Sequence, residues 1–136
     1  LLEFFPAKDG DKAGLMVFGQ DYAYLALRKK GESLELVYST CQRAEKGAAE
    51  KQELISPLKS SKIWLRIRVR ENAQVQFLYS EDGKKFREAG TPFLAQPGKW
   101  VGAKMGLFCN QDQRSNDAGF VDIDWWRVQG TVEKKN

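Results

Sequence analysis

Two aspartates, Asp122 and Asp124, occupy alternate positions in the stretch GFVDIDWWRV, residues 119–128. Alternate residues of a strand point to the same face, so the two carboxylates would lie side by side. A carboxylate pair can hydrolyse a glycosidic bond when about 5 to 5.5 Å separates the groups for retention, or about 6.5 to 9.5 Å for inversion. The two aspartates are therefore the first candidates for a catalytic pair.

The rest of this strand argues against catalysis. The next position on the acidic face is Trp126, so no further carboxylate continues the series. Valine and isoleucine alternate with the aspartates, which is typical of a half-buried strand with a polar outer face. A β-bulge near Trp125 would return Trp126 and Val128 to the apolar face. We therefore expect Asp122 and Asp124 to face solvent, and we expect no catalytic residue in the chain.

Composition excludes several other chemistries. The 136 residues include no histidine, so the usual general base near neutral pH and the commonest metal ligand are missing. The two cysteines, Cys41 and Cys109, are too few for a zinc cluster. We interpret them as two buried thiols, with a disulfide as the alternative.

We expect no cofactor, although two polar loops contain oxygen ligands of the kind that calcium binds. One loop has Asp9 and Asp11, and the other has Asn110, Asp112, Asn116 and Asp117. Loops of this composition more often form turns. Asp112 and Asp117 remain the candidates for a calcium site.

Hydrophobic residues recur with a period of two along most of the chain, which predicts strands. The clearest alternation is KIWLRIRVR, residues 62–70, where aliphatic residues face one way and Trp64 and the arginines face the other. The Asp82–Gly83 pair predicts a hairpin turn. Other strand-like runs are 13–20, 22–30, 33–41, 73–80, 101–109 and 119–128. Short strands with frequent turns predict a single antiparallel β-sandwich domain.

Only residues 44–53, AEKGAAEKQE, have a composition that favours a helix. Gly47 interrupts this stretch, and no apolar residues repeat at the helical period. We interpret it as a polar loop or one exposed turn, with a helix as the alternative.

Four segments carry a family resemblance: DKAGLMVFGQDYAYLALRKKG, SEDGKKFREAGTPF, GKWVGAKMGLFC and AGFVDIDWWRV, in this order. Together they resemble the C-terminal module of glycoside hydrolase family 43 β-xylosidases and related arabinofuranosidases, from residue 1 to about residue 128. The resemblance implies a concanavalin A-like β-sandwich, or jelly roll, joined to a five-bladed propeller that holds the catalytic aspartates and glutamate. It also implies that the first strands of the family module are missing here.

The resemblance implies a non-catalytic accessory module of a xylan- or arabinoxylan-degrading enzyme, covering residues 1–130 and followed by a polar tail at 131–136. Its expected partners are the propeller of the same protein, which it would stabilise, and xylan or xylo-oligosaccharides. A stand-alone, lectin-like carbohydrate-binding sandwich is the alternative function. The missing strands would leave an open sheet edge, so we expect a homodimer or a bound partner segment. The expected location is secreted or periplasmic, with the cytoplasm as the alternative.

Exposed aromatic residues are the candidate sugar contacts, because a ring can stack against the C–H face of a sugar. Trp64 with Arg66 and Arg68 combines one such ring with two planar hydrogen-bond donors. Tyr22 and Tyr24 alternate on another strand and are expected to extend this platform. The alternative is that this face packs against the missing strands or the propeller.

Trp100 lies in a predicted loop, and the resemblance implies that a loop of this module closes over one side of the propeller's active site. Trp100 is therefore the candidate propeller contact.

The net charge of +4 permits contact with polyanions without favouring it. A nucleic-acid module would use Arg66, Arg68 and Arg70 beside Trp64, but neighbouring glutamates dilute that surface. We expect no nucleic-acid partner. We also expect no membrane partner, because no apolar run approaches the roughly 18 to 20 residues that span a bilayer.

Overall fold

The computed structural model describes residues 1–117 and 119–130, so the predicted tail at 131–136 lies outside the described residues. The described residues form ten strands and two single 3₁₀ turns, Ala44–Lys46 and Glu71–Ala73. In chain order the strands are β1 (Leu2–Phe5), β2 (Lys12–Phe18), β3 (Tyr22–Lys30), β4 (Ser33–Cys41), β5 (Lys51–Leu58), β6 (Lys62–Val69), β7 (Gln74–Ser80), β8 (Arg87–Leu94), β9 (Lys104–Asn110) and β10 (Phe120–Ile123).

The strands form two five-stranded sheets. Sheet 1 has the order β10-β1-β6-β7-β8, and sheet 2 has the order β5-β4-β3-β2-β9. All neighbouring pairs are antiparallel. The predicted all-β antiparallel sandwich is therefore confirmed.

The hydrophobic core lies between the two sheets and follows from the period-two alternation. Leu25 and Leu27 of β3 and Leu36 of β4 are fully buried from sheet 2, and Ile63 and Phe77 are fully buried from sheet 1. The buried members of this core come from seven of the ten strands, and partly buried apolar side chains pack against them. Burial of this apolar surface is the main favourable contribution to folding.

Three strands, β1, β5 and β8, have no counterpart among the predicted strand runs. In the stretch 44–53, the predicted exposed turn is found at Ala44–Lys46, but Lys51 already begins β5. β5 and β8 are edge strands, each paired on one side only among the described residues. The side chains of β5 and β8 are largely exposed, so hydrophobic and polar residues alternate only weakly along these strands. The two strands are recognised instead by their backbone pairing with a neighbouring strand.

The end of β10 contains the predicted bulge. The Asp124 amide donates to the Leu1 carbonyl oxygen at 3.1 Å, and the Leu1 nitrogen donates to the Trp125 carbonyl oxygen at 3.4 Å. Two residues of one strand thus face one residue of its neighbour, which is the arrangement of a β-bulge. Asp122 and Asp124 are both exposed, as the alternation predicts. Trp126 and Val128, which the bulge was predicted to return to the apolar face, are 46% and 73% exposed and are not part of the buried core.

The cysteines differ from the prediction in one respect. Both are free thiols in the described part of the chain, but Cys41 is buried whereas Cys109, on edge strand β9, is exposed. The interpretation of two buried thiols is therefore wrong for Cys109, which lies on the outermost strand of sheet 2. Within residues 1–117 and 119–130, no helix is long and apolar enough to cross a membrane.

Candidate carbohydrate-contact surfaces

The first candidate surface lies on the outer face of sheet 1, where alternation along β6 places Trp64, Arg66 and Arg68. We call these three residues together with Phe86 the Trp64 surface. The half-buried indole of Trp64 lies against the turn between β7 and β8: a Cβ added to Gly83 would come within 2.8 Å of its Cε2 atom. Gly83 has a φ of 73°, so a glycine satisfies both the backbone conformation and the close approach.

Both arginines of this surface have defined partners. The Arg66 Cζ atom lies 3.8 Å from the centroid of the Phe86 ring, a cation–π contact. An Arg68 Nη1 atom lies 3.7 Å from Glu88 Oε1. The two guanidinium groups are therefore held beside Trp64 by neighbours from the β7–β8 connection and from β8. Exposed pairs of this kind add little stability, but they restrict the orientation of the donors.

The turn that supports Trp64 is organised by one carboxylate. Asp82 Oδ1 accepts hydrogen bonds from the Ser80 hydroxyl at 2.9 Å, the Lys84 amide at 2.8 Å and the Lys85 amide at 2.9 Å. The amide hydrogen bonds from Lys85 and Lys84 lower the pKa of Asp82 to about 2. The predicted Asp82–Gly83 turn is thus found, and β7 and β8 pair as an antiparallel hairpin.

Tyr22 and Tyr24 do not extend this platform, so that prediction is wrong. Both lie on β3, and the residues between and after them, Ala23 and Leu25, belong to the central core. The tyrosines therefore point outward from sheet 2, whereas Trp64 points outward from sheet 1. The whole thickness of the sandwich separates the two sets. Alternation identifies which residues share a face of one strand, but it does not say to which sheet the strand belongs.

The two tyrosine rings form a second surface, nearly parallel at 11° with centroids 6.3 Å apart. The carboxylate of Glu50 accepts a hydrogen bond from the Tyr22 hydroxyl at 2.7 Å and from the Tyr24 hydroxyl at 2.9 Å. The Tyr24 ring also meets the Phe108 ring edge to face, with centroids 5.0 Å apart. Only 4% of Tyr24 is exposed, so its ring has no free face on which a sugar could stack.

Burial is the largest cause that raises the pKa of Tyr22 and of Tyr24, and the nearby Glu50 carboxylate raises both further. Both phenols are therefore neutral hydrogen-bond donors to Glu50 over the physiological range. A polar network continues from this pair across sheet 2. Gln52 donates to the Ser39 hydroxyl at 3.2 Å and also contacts Arg28, which pairs with Glu35 at 2.7 Å. The hydrogen bond from Arg28 is the main cause that lowers the pKa of Glu35.

Sequence reasoning did not find Glu50 or Gln52, because they lie in the stretch without alternation. Phe86 and Phe108 were also missed as members of these surfaces. The strand register identifies Gln52 and Phe108, because it brings β5 beside β4 and β9 beside β2. Glu50 and Phe86 lie outside the strands and are identified by their contacts with the tyrosines and with Arg66.

Trp100 lies in the connection between β8 and β9 and is 90% exposed. No hydrogen bond or ring contact within the described residues joins it to the Trp64 surface or to the tyrosine pair. The predicted contact residues thus occupy three separate places on the domain.

The calcium candidates have lysine partners. Asp112 lies 3.3 Å from the Lys12 ammonium, and Asp117 lies 3.4 Å from the Lys8 ammonium. In the part of the chain that the structure describes, no three residues of the acidic, cysteine or histidine types are grouped as a metal site. The calcium site stays a prediction that this geometry does not support.

The fold and the sequence together define the class of protein. Two facing antiparallel sheets of five strands make this a concanavalin A-like β-sandwich. The sequence model of the β-xylosidase C-terminal concanavalin A-like domain, from glycoside hydrolase family 43, matches residues 1–129. The chain therefore belongs to that family, as the sequence resemblance indicated.

Individual relatives agree with this assignment. A β-xylosidase of Formosa agariphila is 41% identical over 64 residues, which are 47% of this chain and 10% of that protein. A solved family 43 glycoside hydrolase superposes with a TM-score of 0.66 at 21% identity, covering 88% of this chain and 26% of its own. It is described as engineered to display both endo-xylanase and exo-arabinofuranosidase activity. The chain thus spans about a tenth of the first relative and about a quarter of the second.

Proposed function

We propose that this chain is a non-catalytic domain of a xylan- or arabinoxylan-degrading glycoside hydrolase, which stabilises the catalytic propeller and binds xylan weakly. The observation that carries this proposal is the family match over residues 1–129, because the family is the C-terminal domain of β-xylosidases. The Formosa β-xylosidase, 41% identical over the matched segment, supports the class of substrate. A secreted or periplasmic location would follow, since a plant polysaccharide is degraded outside the cytoplasm.

The placement of the acidic residues supports a non-catalytic role. Asp122 lies on the exposed side of β10, opposite Glu3 of β1, and Asp124 follows at the bulge. A cleft of about 580 Å³ beside β6 is lined by apolar side chains, arginines, one glutamine and one glycine, and no carboxylate lines it. A carboxylate pair with separate acid and base roles would need to face one substrate cleft from the two sides of the scissile bond.

The Trp64 surface is the better candidate for xylan contact. The indole of Trp64 is only half-buried, and two guanidinium groups lie beside it as planar donors for sugar hydroxyls. Tyr24 is buried, and both tyrosine hydroxyls already donate to Glu50. A single stacking ring with few polar partners leaves little free energy after the entropic cost of association, so affinity for xylan is weak.

Trp100 is proposed as the propeller contact. A tryptophan that is 90% exposed on a loop leaves most of its ring in water, and covering such a ring buries roughly 150 to 250 Å² of surface. Large exposed aromatic residues are typical anchors of interfaces. The Trp100 contact and the Trp64 surface are on separate parts of the domain, so one variant of each tests them independently.

The test is titration of xylohexaose into the native chain, Trp64→Ala and Trp100→Ala, at low and high salt. We expect weak binding to the native chain and to Trp100→Ala, no binding to Trp64→Ala, and little change with salt. Binding that survives Trp64→Ala would contradict the assigned surface, and absence of binding would leave scaffolding as the function. Single-stranded DNA serves as the comparison ligand, because its binding would weaken steeply as salt rises.

A further inference from the structure

The side chains of the Trp64 surface form an ordered layer on sheet 1. Each outward residue of β6 pairs with one residue of β7: Trp64 with Ser80, Arg66 with Leu78 and Arg68 with Gln76. Paired residues of an antiparallel sheet point to the same face, yet all three β7 side chains are buried. Their cover comes from the β6 side chains, which extend across β7 toward the β7–β8 turn and β8.

Trp64 and Arg66 are each held on one side by the segment that connects β7 to β8. A Cβ added to Gly83 would lie 2.8 Å from Cε2 and 3.0 Å from Cζ2 of the indole, so Gly83 covers this part of the ring. The Phe86 ring holds the Arg66 guanidinium through the cation–π contact of 3.8 Å. Trp64 is only half-buried and Arg66 is exposed, so the rest of the indole and the guanidinium are accessible to a ligand.

The spacing of these two residues fits one acidic sugar. Trp64 and Arg66 share a face of β6 and are two positions apart, about 6.6 to 6.8 Å along the strand. A sugar ring stacked on Trp64 would therefore have its edge beside the Arg66 guanidinium. A xylose ring carries only hydroxyls, whereas a uronate ring carries a carboxylate on the carbon next to the ring oxygen. A guanidinium binds that carboxylate through charge-assisted hydrogen bonds, which are stronger than those to a hydroxyl.

The charges around the surface favour an anionic ligand. The basic side chains are Arg66 and Arg68 on β6 and Lys84 and Lys85 in the turn, and the acidic ones are Glu81, Asp82 and Glu88. Asp82 Oδ1 is engaged by hydrogen bonds within the turn, and Glu88 lies 3.7 Å from Arg68. None of the ion pairs within the described residues includes Arg66. The free positive charge thus lies where the edge of a stacked sugar would be.

We propose that the Trp64 surface recognises a uronate side group on xylan, with the sugar ring stacked on Trp64 and its carboxylate hydrogen-bonded to Arg66. Because Phe86 holds the guanidinium, the carboxylate meets a donor that has already lost part of its side-chain freedom, which lowers the entropic cost of binding. Arg68 is paired with Glu88 and adds attraction over a longer range.

The choice of xylan rests on the proposed function, whereas the preference for a carboxylate rests on the surroundings of Arg66. A nucleic acid is the less suitable occupant, because one free guanidinium beside one ring offers few contacts to a chain of phosphates. Acidic and neutral ligands are measured side by side, so the preference and the proposed function can fail separately.

The experiment compares two ligands that differ only at the carboxylate. One is a xylopentaose with a single glucuronate side group, and the other is the same oligosaccharide with that carboxylate reduced to the primary alcohol. Neutral xylohexaose and single-stranded DNA complete the set. All four are titrated into the native chain, Arg66→Gln, Arg70→Gln and Trp64→Ala. Arg70→Gln is the matched control, because Arg70 is an exposed arginine just after the end of β6.

At low salt we expect the uronate ligand to bind the native chain about tenfold more tightly than its reduced counterpart. This preference should shrink as salt rises, because exposed charges are screened. Arg66→Gln should bring the two affinities together and retain the weak binding of the reduced ligand. Arg70→Gln should keep the tenfold preference, and Trp64→Ala should weaken the binding of both ligands.

Equal affinities of the native chain for the two matched ligands would overturn the uronate preference and leave the proposed xylan contact intact. A preference that survives Arg66→Gln, or that disappears in Arg70→Gln, would overturn the assignment to Arg66. Tighter binding of single-stranded DNA than of the uronate ligand would also overturn the proposal, because the surface would then be a general polyanion site.

The converse result separates the two ideas. Uronate binding that depends on Arg66, without any binding of xylohexaose, would support the preference and overturn the proposed binding of undecorated xylan. Failure of every oligosaccharide to bind would overturn both.

Discussion

The hydroxyl of Tyr38, in sheet 2, donates a hydrogen bond to the carbonyl oxygen of Thr91, in sheet 1, at 2.8 Å. On its way across the core the Tyr38 ring passes directly over Gly90, where an added Cβ would lie 2.1 Å from the ring atom Cδ1. Gly90 also has a φ of 69°. A tyrosine and a glycine from opposite sheets thus form one tight contact through the middle of the sandwich.

This contact predicts that Gly90→Ala is strongly destabilising. The new methyl group would overlap the Tyr38 ring and strain the left-handed backbone, with an expected loss of roughly 2 to 4 kcal/mol in the free energy of unfolding. Gly31→Ala is the matched control, because Gly31 has a φ of 59° with no atom within 4 Å of the added Cβ. Urea denaturation of both variants measures the difference. Equal losses would mean that only backbone strain matters at Gly90.

The second prediction concerns acid stability and Asp82. The pKa of Asp82 is lowered to about 2 from an ordinary value of 3.8, so its ionised form is favoured in the folded state. A group with a depressed folded pKa contributes stability that is complete above the unfolded pKa and is lost as pH falls through the folded pKa. We expect the Tm of the native chain to fall between about pH 4 and pH 2 by more than that of Asp82→Asn. Glu81→Gln, next to it in the turn, is the control, and a parallel decline in both variants would contradict the role of Asp82.

The third prediction concerns alkaline stability and Glu50. The pKa of Tyr22 and Tyr24 is raised, so their neutral forms stabilise the fold below the ordinary tyrosine pKa, and this contribution is lost as pH rises above it. Glu50→Gln removes the negative charge beside both hydroxyls. Ultraviolet titration should then show tyrosine ionisation at lower pH than in the native chain. Glu45→Gln, an exposed neighbour in the 3₁₀ turn, should leave the titration unchanged. An unchanged curve in Glu50→Gln would show that burial alone raises the two values.

The fourth prediction is that the isolated chain does not hydrolyse aryl xylosides or aryl arabinofuranosides. Its candidate carboxylates, Asp122 and Asp124, are exposed at a sheet edge and share no cleft. The measurement is release of 4-nitrophenol from both substrates at high protein concentration. Turnover that disappears in Asp122→Asn or in Asp124→Asn, but persists in the surface variant Asp9→Asn, would contradict the non-catalytic assignment.

Local alternation was sufficient to predict the sandwich, because each central strand has one face in the core. It was also sufficient to place Trp64, Arg66 and Arg68 on one outer face, since three alternate residues of one strand must share a face. The edge strands β5 and β8 were missed, because strands with largely exposed side chains show weak alternation. Their existence depends on backbone pairing with neighbours far away in the sequence.

The partners of the candidate residues could not be predicted for the same reason. Phe86 reaches Arg66, and Glu50 reaches both tyrosines, only after the strands have taken their order in the sheets. The error about Tyr22 and Tyr24 has this origin as well. The faces of β3 and β6 were assigned correctly, but no local pattern states that the two strands lie in different sheets.

The unequal environments of the two cysteines make the domain suitable for site-specific labelling. The Cys41 thiol is buried and donates to the Ala48 carbonyl oxygen at 3.1 Å, whereas Cys109 lies exposed on β9. Partial burial raises the pKa of the Cys109 thiol, so alkylation is faster at mildly alkaline pH. A maleimide dye would therefore attach at a single position on the native domain. Because β9 is an outer strand of sheet 2, the emission of that dye would report on contacts that form along this edge of the sandwich.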